Sequence, residues 1–414
     1  MAHPLLRSAL WPMTGSPTTG AAQDRVFTGA PARVLGFCAL GWIFDFHDLV
    51  LFAFVKEALR GELSLSTAQL AWVDGITFAA AALGGVLAGR LADRRGRRRV
   101  MSLSILLFST GALLTSTADG FVSLALARFV TGLGVGGEWG VGHAAVAESY
   151  PPSLRQRAAA VLQAASPVGL ALAALSGCLL APHIGWRAVF AWSALPAGLV
   201  CMARWAMPHE DAPRSAQPTP LRALWDPAHL AISARLLCVL VLHMTGFWCC
   251  FAWLPSLLLR EGGASAGFVA GFHVALAVAQ IVADLVFAPL ALRFGRRRTF
   301  VGLCTISAIG LAVIAVAFAT LRGSLLLSGA ALCCVGLGSG TWSAFGTWFA
   351  DHYGRELRAT AASTLYNLGR GSQLIAQPLL AAAAAATGTL AVGLWVGVAC
   401  ALGSAALAPR EARA

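Results

Sequence analysis

The sequence predicts an all-α membrane protein: twelve transmembrane helices in two six-helix pseudo-symmetric halves. Three observations predict it. The 414 residues are 58% apolar and only 12% charged, with a mean hydropathy of +0.73. A water-soluble domain carries about 25% charged residues, so lipid is the solvent that tolerates this balance. Apolar runs of about 20 residues, enough to cross a hydrocarbon core about 30 Å thick, recur along the whole chain. Finally, the chain repeats itself at an offset of 199 to 204 residues.

Taken in order, residues 1–32 read as an N-terminal tail. They carry Pro4, Pro12 and Pro17 and no apolar core followed by a cleavage site, so no removable signal is expected. The first half, 33–206, holds runs at about 33–55, 68–91, 98–118, 120–147, 157–182 and 185–206. The only long polar interruption follows, a linker at 207–230 with Pro208, Pro213, Pro218, Pro220 and Pro227. The second half, 231–408, holds runs at about 231–259, 265–292, 298–320, 323–350, 358–384 and 387–408, and residues 409–414 form a short tail.

Basic residues set the orientation. The even-numbered loops carry Arg90, Arg94, Arg95, Arg97, Arg98 and Arg99, then Arg155 and Arg157, then Arg204, Arg214 and Arg222. Further on they carry Arg293, Arg296, Arg297 and Arg298, then Arg355 and Arg358. The odd loops hold only Lys56, Arg60, Arg187, Arg260 and Arg322. Positive charge stays on the cytoplasmic side, so both termini are expected in the cytoplasm of a bacterial cell, with the helices in its inner membrane. The net charge of +12 therefore orients the protein rather than binding nucleic acid, since the cations lie in short clusters beside apolar runs.

The repeat is visible in three places. LADRRGRRR at 91–99 recurs as LALRFGRRR at 290–298, and GLGVG at 132–136 as GLGSG at 336–340. Tyr150, Leu154, Arg155, Ala158 and Ala159 recur as Tyr353, Leu357, Arg358, Ala361 and Ala362. Duplicated halves of this kind occur in secondary transporters, with the solute site near the midplane between them.

GVLAGRLADRRGRRR at 85–99 resembles the loop 2–3 signature of the major facilitator superfamily. RFVTGLGVGGE at 128–138, running on to ESYPPSLR at 148–155, resembles that superfamily's fourth-helix pattern. The Gly-Gly-Glu-Trp form is similar to the metabolite–proton symporters, including sialate, lactate and aromatic-acid carriers. The resemblance spans about residues 33–408 and implies the major facilitator fold, a monomeric solute carrier and gating by Gly89, Asp93, Arg94, Gly96, Arg97, Glu148 and Arg155. The second copy of the loop signature departs from the pattern, with Leu292 in place of the acid.

Physically, glycines at 84, 85 and 89 let helices approach closely, and Asp93 beside an arginine cluster can pair in one conformation and not in the other. Gly132, Gly134 and Gly137 formally fit a dinucleotide fingerprint. That fingerprint needs a strand before it and a soluble βαβ unit, so helix packing is the better reading.

Ionisable residues inside the apolar runs carry the functional expectation. A charge at the bilayer centre costs about 2.5–3.5 kcal/mol on insertion scales, so such residues should face an interior, a partner or water. Asp45 and Asp48 share one face of the first helix, which suits a site that loads a proton on one side and releases it on the other. Related carriers show a similar acid pair, and the fourth-helix pattern adds Arg128 and Glu138. A plain Asp–Arg128 pair is the alternative.

In the eleventh helix Tyr366, Arg370, Gln373 and Gln377 trace one face, with Asn367 beside them. A guanidinium grips a carboxylate through two hydrogen bonds, so this stripe suits a polar anion, unless Arg370 pairs with an internal acid such as Asp284. Gln163 is the repeat equivalent of Tyr366 and a further cavity candidate.

The ten cysteines form no CxxC pair, there is no phosphate-binding loop, and no nucleophile set or zinc spacing stands out. The expectation is a transporter without cofactor or metal, not an enzyme. Its partners are a small solute, protons and the bilayer, and its activity is proton-coupled symport of a small organic carboxylate. A proton-driven drug or metabolite exporter, or a sugar-type transporter, is the alternative.

Overall fold

The computed structural model describes residues 29–198 and 221–410. Most of the expected linker, the end of the sixth run, both tails and the side chain of Asp93 lie outside the described residues. Among the described residues the main helical segments follow one another as two sets of six. They are α1 (Gly29–Glu62), α2 (Thr67–Arg95), α3 (Arg97–Ser116), α4 (Phe121–Ser149), α5 (Arg157–Ile184) and α6 (Trp186–Trp192). The second set is α7 (Leu230–Glu261), α8 (Ala266–Phe294), α9 (Arg296–Ala317), α10 (Leu326–Phe349), α11 (355–387, broken at Ser372) and α12 (Val392–Leu407). Among the described residues nine helices are long and apolar enough to cross a membrane.

Large apolar side chains stand on the outside of the bundle, with Leu326 85% and Val316 75% exposed. Water would punish such a surface; hydrocarbon does not.

The repeat seen in sequence is a repeat of local chemistry. Ser66 caps α2, accepting from the Gln69 amide at 3.1 Å, and Ser265 caps α8, accepting from the Phe268 amide at 3.2 Å. Both helices are 29 residues long and both end at a glycine with positive φ, Gly96 at 88° and Gly295 at 84°. A Cβ is strained there, so each glycine lets one helix stop and the next begin at once.

Glu62 closes α1 by accepting from the Trp186 indole at 2.6 Å and from Arg187 at 3.0 Å. Glu261 closes α7 in the same way, accepting from Thr389 at 2.5 Å and from the Leu390 amide at 2.8 Å. Arg97 is bound by Glu148 through two hydrogen bonds of 2.9 and 2.8 Å, and Arg296 meets Asp351 at 2.6 Å. The arginine–acid bridge thus recurs in the second half although Leu292 replaces the loop acid.

Close packing uses the glycines. A Cβ on Gly84 would strike the backbone of Leu133, and one on Gly136 the backbone of Ala81 and Gly85. Gly132 faces Thr77 and Gly134 faces Phe108, so the GLGVG segment packs helices together. Gly89 is a correction: nothing lies within 4 Å of a Cβ placed there, because its neighbour Ala88 is the residue turned toward Gly137 of α4. A second correction concerns Lys56 and Arg60, expected in a loop. Both lie inside α1, which runs on to Glu62 because the Lys56 charge is neutralised by Asp74 of α2.

The halves meet along two seams, α2 against α11 and α5 against α8. Gly75 lies against the backbone of Gln373 and Leu374, and Gly85 against Asn367.

Candidate functional site

A cavity of about 140 Å³ lies between the halves. The first half supplies Trp42, Asp45, Phe46 and Leu49 of α1, Trp139 of α4, and Gln163, Ser166 and Pro167 of α5. The second supplies Phe247 and Trp248 of α7, Gln280 and Asp284 of α8, aromatic residues of α10, and Ala362, Tyr366 and Arg370 of α11. These positions run from the middle of each helix toward the end nearer the α2–α3 loop. The cavity therefore occupies that side of the bundle.

The opposite side is closed by contacts between the halves. Lys56 is fully buried; its ammonium donates to Asp74 at 2.5 Å within its own half and to the Ala252 carbonyl of α7 at 2.8 Å. It also sits 3.8 Å from the Trp253 ring centre. Within the second half the Trp253 indole donates to Gln377 of α11 at 3.0 Å, and across the halves Arg260 of α7 lies 3.9 Å from Glu57 of α1.

At the cavity's middle Arg370 is 3% exposed, with Nε and Nη1 free of hydrogen-bond partners and Nη2 3.5 Å from the Tyr366 hydroxyl. A guanidinium holds five donors in a fixed fork, so a cavity-lining arginine with buried, unfilled donors calls for an acceptor. Tyr366 stacks on Trp139 across the two halves, ring centres 4.2 Å apart and 6° from parallel.

The acids divide into two sets. Asp48 is paired, accepting from Arg128 at 2.7 Å, both partners buried and neither lining the cavity. Asp45 lines the cavity, and its charged neighbours are Glu138, Arg370, Asp48 and Arg128. Glu138 is 2% exposed, both its oxygens lack hydrogen-bond partners, and its carboxylate lies against Gly41 of α1. A buried carboxylate without a hydrogen-bond partner carries a proton or must meet a cation when the structure rearranges. The expected Asp45/Asp48 pair thus splits: one acid is held by an arginine, the other faces the space.

The anion stripe of α11 also divides. Tyr366 and Arg370 line the cavity, as does Gln163 across from them. Asn367 bonds the Ser363 carbonyl and packs on Gly85, while Gln373 donates to Thr245 and receives Gln377. These amides are corrections: they join helices, because the face they share with Arg370 turns into α2 and α7. Arg370 makes no ion pair with Asp284; the acid whose charge it neighbours is Asp45 of α1. At the α2–α3 end Arg155 donates to the Tyr150 carbonyl at 2.9 Å and Arg94 is exposed.

Sequence reasoning missed Lys56 with Asp74, and Trp42 and Trp139 of the cavity wall. A lysine and an aspartate 18 residues apart on two successive apolar runs was the available signal.

A sequence model of the Major Facilitator Superfamily matches residues 35–377. The chain is 32% identical over 349 residues to a protein of Haemophilus influenzae whose name proposes metabolite transport, covering 80% of this chain and 84% of that one. It is 28% identical to the niacin transporter of Acinetobacter baylyi, covering 81% and 83%, and 27% identical to a sialic acid transporter of Escherichia coli, covering 85% and 87%. Among solved structures, a partially occluded inward-open xylose transporter of Escherichia coli superposes with a TM-score of 0.70 at 15% identity, over 91% of this chain and 98% of that one.

Proposed function

The chain belongs to the Major Facilitator Superfamily, a transporter rather than an enzyme, and from that premise we propose that it carries a small organic carboxylate together with protons, by alternating access. The observation that carries the reading is Arg370: a buried guanidinium with two unpartnered nitrogens on the wall of a cavity between the halves. Such a group binds a carboxylate through paired hydrogen bonds. Niacin and sialic acid, the solutes in the names of two relatives, each carry one carboxylate.

Asp45 and Glu138 carry the proton. An anion arriving at Arg370 adds negative charge beside both acids, and a proton on one of them offsets it. Asp48 and Arg128 hold α1 to α4 one turn further along. The arginine-rich loops support an orientation in a bacterial inner membrane with both termini in the cytoplasm. The cavity then opens inward, and Lys56, Trp253 and Gln377 close the outer face.

The gating role is proposed for Gly96, where α2 passes into α3, and for the Arg97–Glu148 bridge that ties this turn to α4, with Asp93, Arg94 and Arg155 beside it. Gly89, with open space at its Cβ, serves there as flexible backbone.

The test is uptake of radiolabelled nicotinate and 3-hydroxyphenylpropionate into proteoliposomes under an imposed pH gradient. The expected result is gradient-driven accumulation of one or both, lost in Arg370→Ala and uncoupled in Asp45→Asn. Accumulation that ignores the gradient and survives both substitutions overturns the proposal.

A further inference from the structure

The carboxylate reading leaves one wall of the cavity without a role. α8 carries Gln280 and Asp284 one turn apart, both on the lining, and α8 packs against α5. α11, with Arg370, packs instead against α2 and α7. Acid and cation therefore stand on different walls of one space.

Asp284 has no counter-charge. It makes no ion pair among the described residues, it is not among the charged neighbours of Asp45, and its side-chain hydrogen-bond partner is Ser343. One turn away Gln280 is 5% exposed and its amide nitrogen lacks a hydrogen-bond partner. Insertion into a bilayer does not favour an acid at this depth, and an internal ion pair does not explain it. A bound molecule that brings a donor does.

The walls between these groups are aromatic. Trp42, Phe46, Trp248 and Trp342 favour a flat ring over a flexible chain.

We propose that the cavity takes a ring carboxylate bearing a second polar group, a hydroxyl or amine, whose hydrogen is donated to Asp284 while Arg370 holds the carboxylate. This rests on the carboxylate reading. Asp284 is then the specificity-determining residue. A solute with an ether or methyl in that place leaves the acid facing no donor, and a site built to pair with a donor rejects an analogue that lacks one.

The experiment compares equilibrium binding of 4-hydroxybenzoate, 3-hydroxybenzoate and their methoxy counterparts to the purified full chain in detergent. At least one hydroxy acid is expected to bind on the order of tenfold or more tighter than its methoxy partner, the range for a hydrogen bond to a charged group. In Asp284→Ala that ratio falls toward one. Asp284→Asn, which keeps a polar contact for Ser343, lowers it too and guards against misfolding. Arg370→Ala weakens hydroxy and methoxy acids alike. A ratio of one in the parent protein, or an undiminished ratio in both Asp284 variants, overturns the inference while leaving the carboxylate reading standing. Binding of none of the four acids overturns this inference alone, whereas binding that survives Arg370→Ala overturns the carboxylate reading and this inference with it.

Discussion

Replacing Lys56 tests whether one buried ammonium holds shut the face opposite the α2–α3 loop. Lys56 binds Asp74 within its own half, the Ala252 carbonyl of the other half at 2.8 Å, and the Trp253 ring at 3.8 Å. Only the last two contacts break when the halves part on this side, so only they bias the conformational equilibrium. A hydrogen bond from a charged donor contributes about 1.5–3 kcal/mol and a cation–π contact about 0.5–2 kcal/mol, together about 2–5 kcal/mol. At about 1.4 kcal/mol per factor of ten, the closed population relative to the open one falls by about 30- to 4,000-fold.

Lys56→Ala also strips Asp74 of its partner, which costs about 3–5 kcal/mol of stability when a buried pair is broken. The double variant Lys56→Met with Asp74→Asn removes the contact across the halves without leaving a bare charge. Spin labels at Gly61 and Gly267, where an added Cβ meets nothing within 4 Å, read the separation by pulsed electron resonance in a background without native cysteines. Both variants are expected to lengthen that distance. A wild-type distribution in both refutes the reasoning and assigns closure to the α2–α11 seam instead.

Three further outcomes follow from the same geometry. Asp48→Asn leaves Arg128 buried without its anion, so thermal unfolding of the purified protein should reveal a loss of about 3–5 kcal/mol; an unchanged melting temperature would mean that water reaches the pair. Gly136→Val drives a side chain into the backbone of Ala81 and Gly85, so monodisperse protein should disappear in size-exclusion chromatography, whereas Gly89→Ala should behave as wild type. Trp139→Ala removes the stack on Tyr366, worth about 0.5–1.5 kcal/mol, and the KM for the transported carboxylate should rise about two- to tenfold; an unaltered KM would show that the stack does not shape the bound state.

What was legible in the sequence, and what was not, divides along physical lines. The all-helical, membrane-length segments and the repeat were legible because a bilayer imposes length and apolarity on each segment separately, and because duplicated turn chemistry leaves a local trace, as at Gly96 and Gly295. That Asp45, Glu138 and Arg370 are buried was legible for the same reason: the cost of a charge in hydrocarbon is a property of one residue. Which partner offsets the cost is a property of two helices and their rotation. Asp45 and Asp48 share a helix face in sequence, yet a turn of rise along α1 separates a cavity wall from the α4 interface, and Arg128 takes only Asp48. Gln373 follows Arg370 by three residues, yet the break at Ser372 sends it toward Thr245.

Lys56 shows the limit most clearly. At the end of an apolar run it reads as a loop residue, and only Asp74 on the next helix makes it an interior one. Buried charges in this chain therefore sort by where their partners stand. Pairs within a half, Asp48 with Arg128, are indifferent to rocking and hold the half together. Groups whose partners lie across the interface, Lys56 above all, must exchange them in each cycle. Groups left without a partner, Arg370 and Asp284, are the ones a passing solute can satisfy.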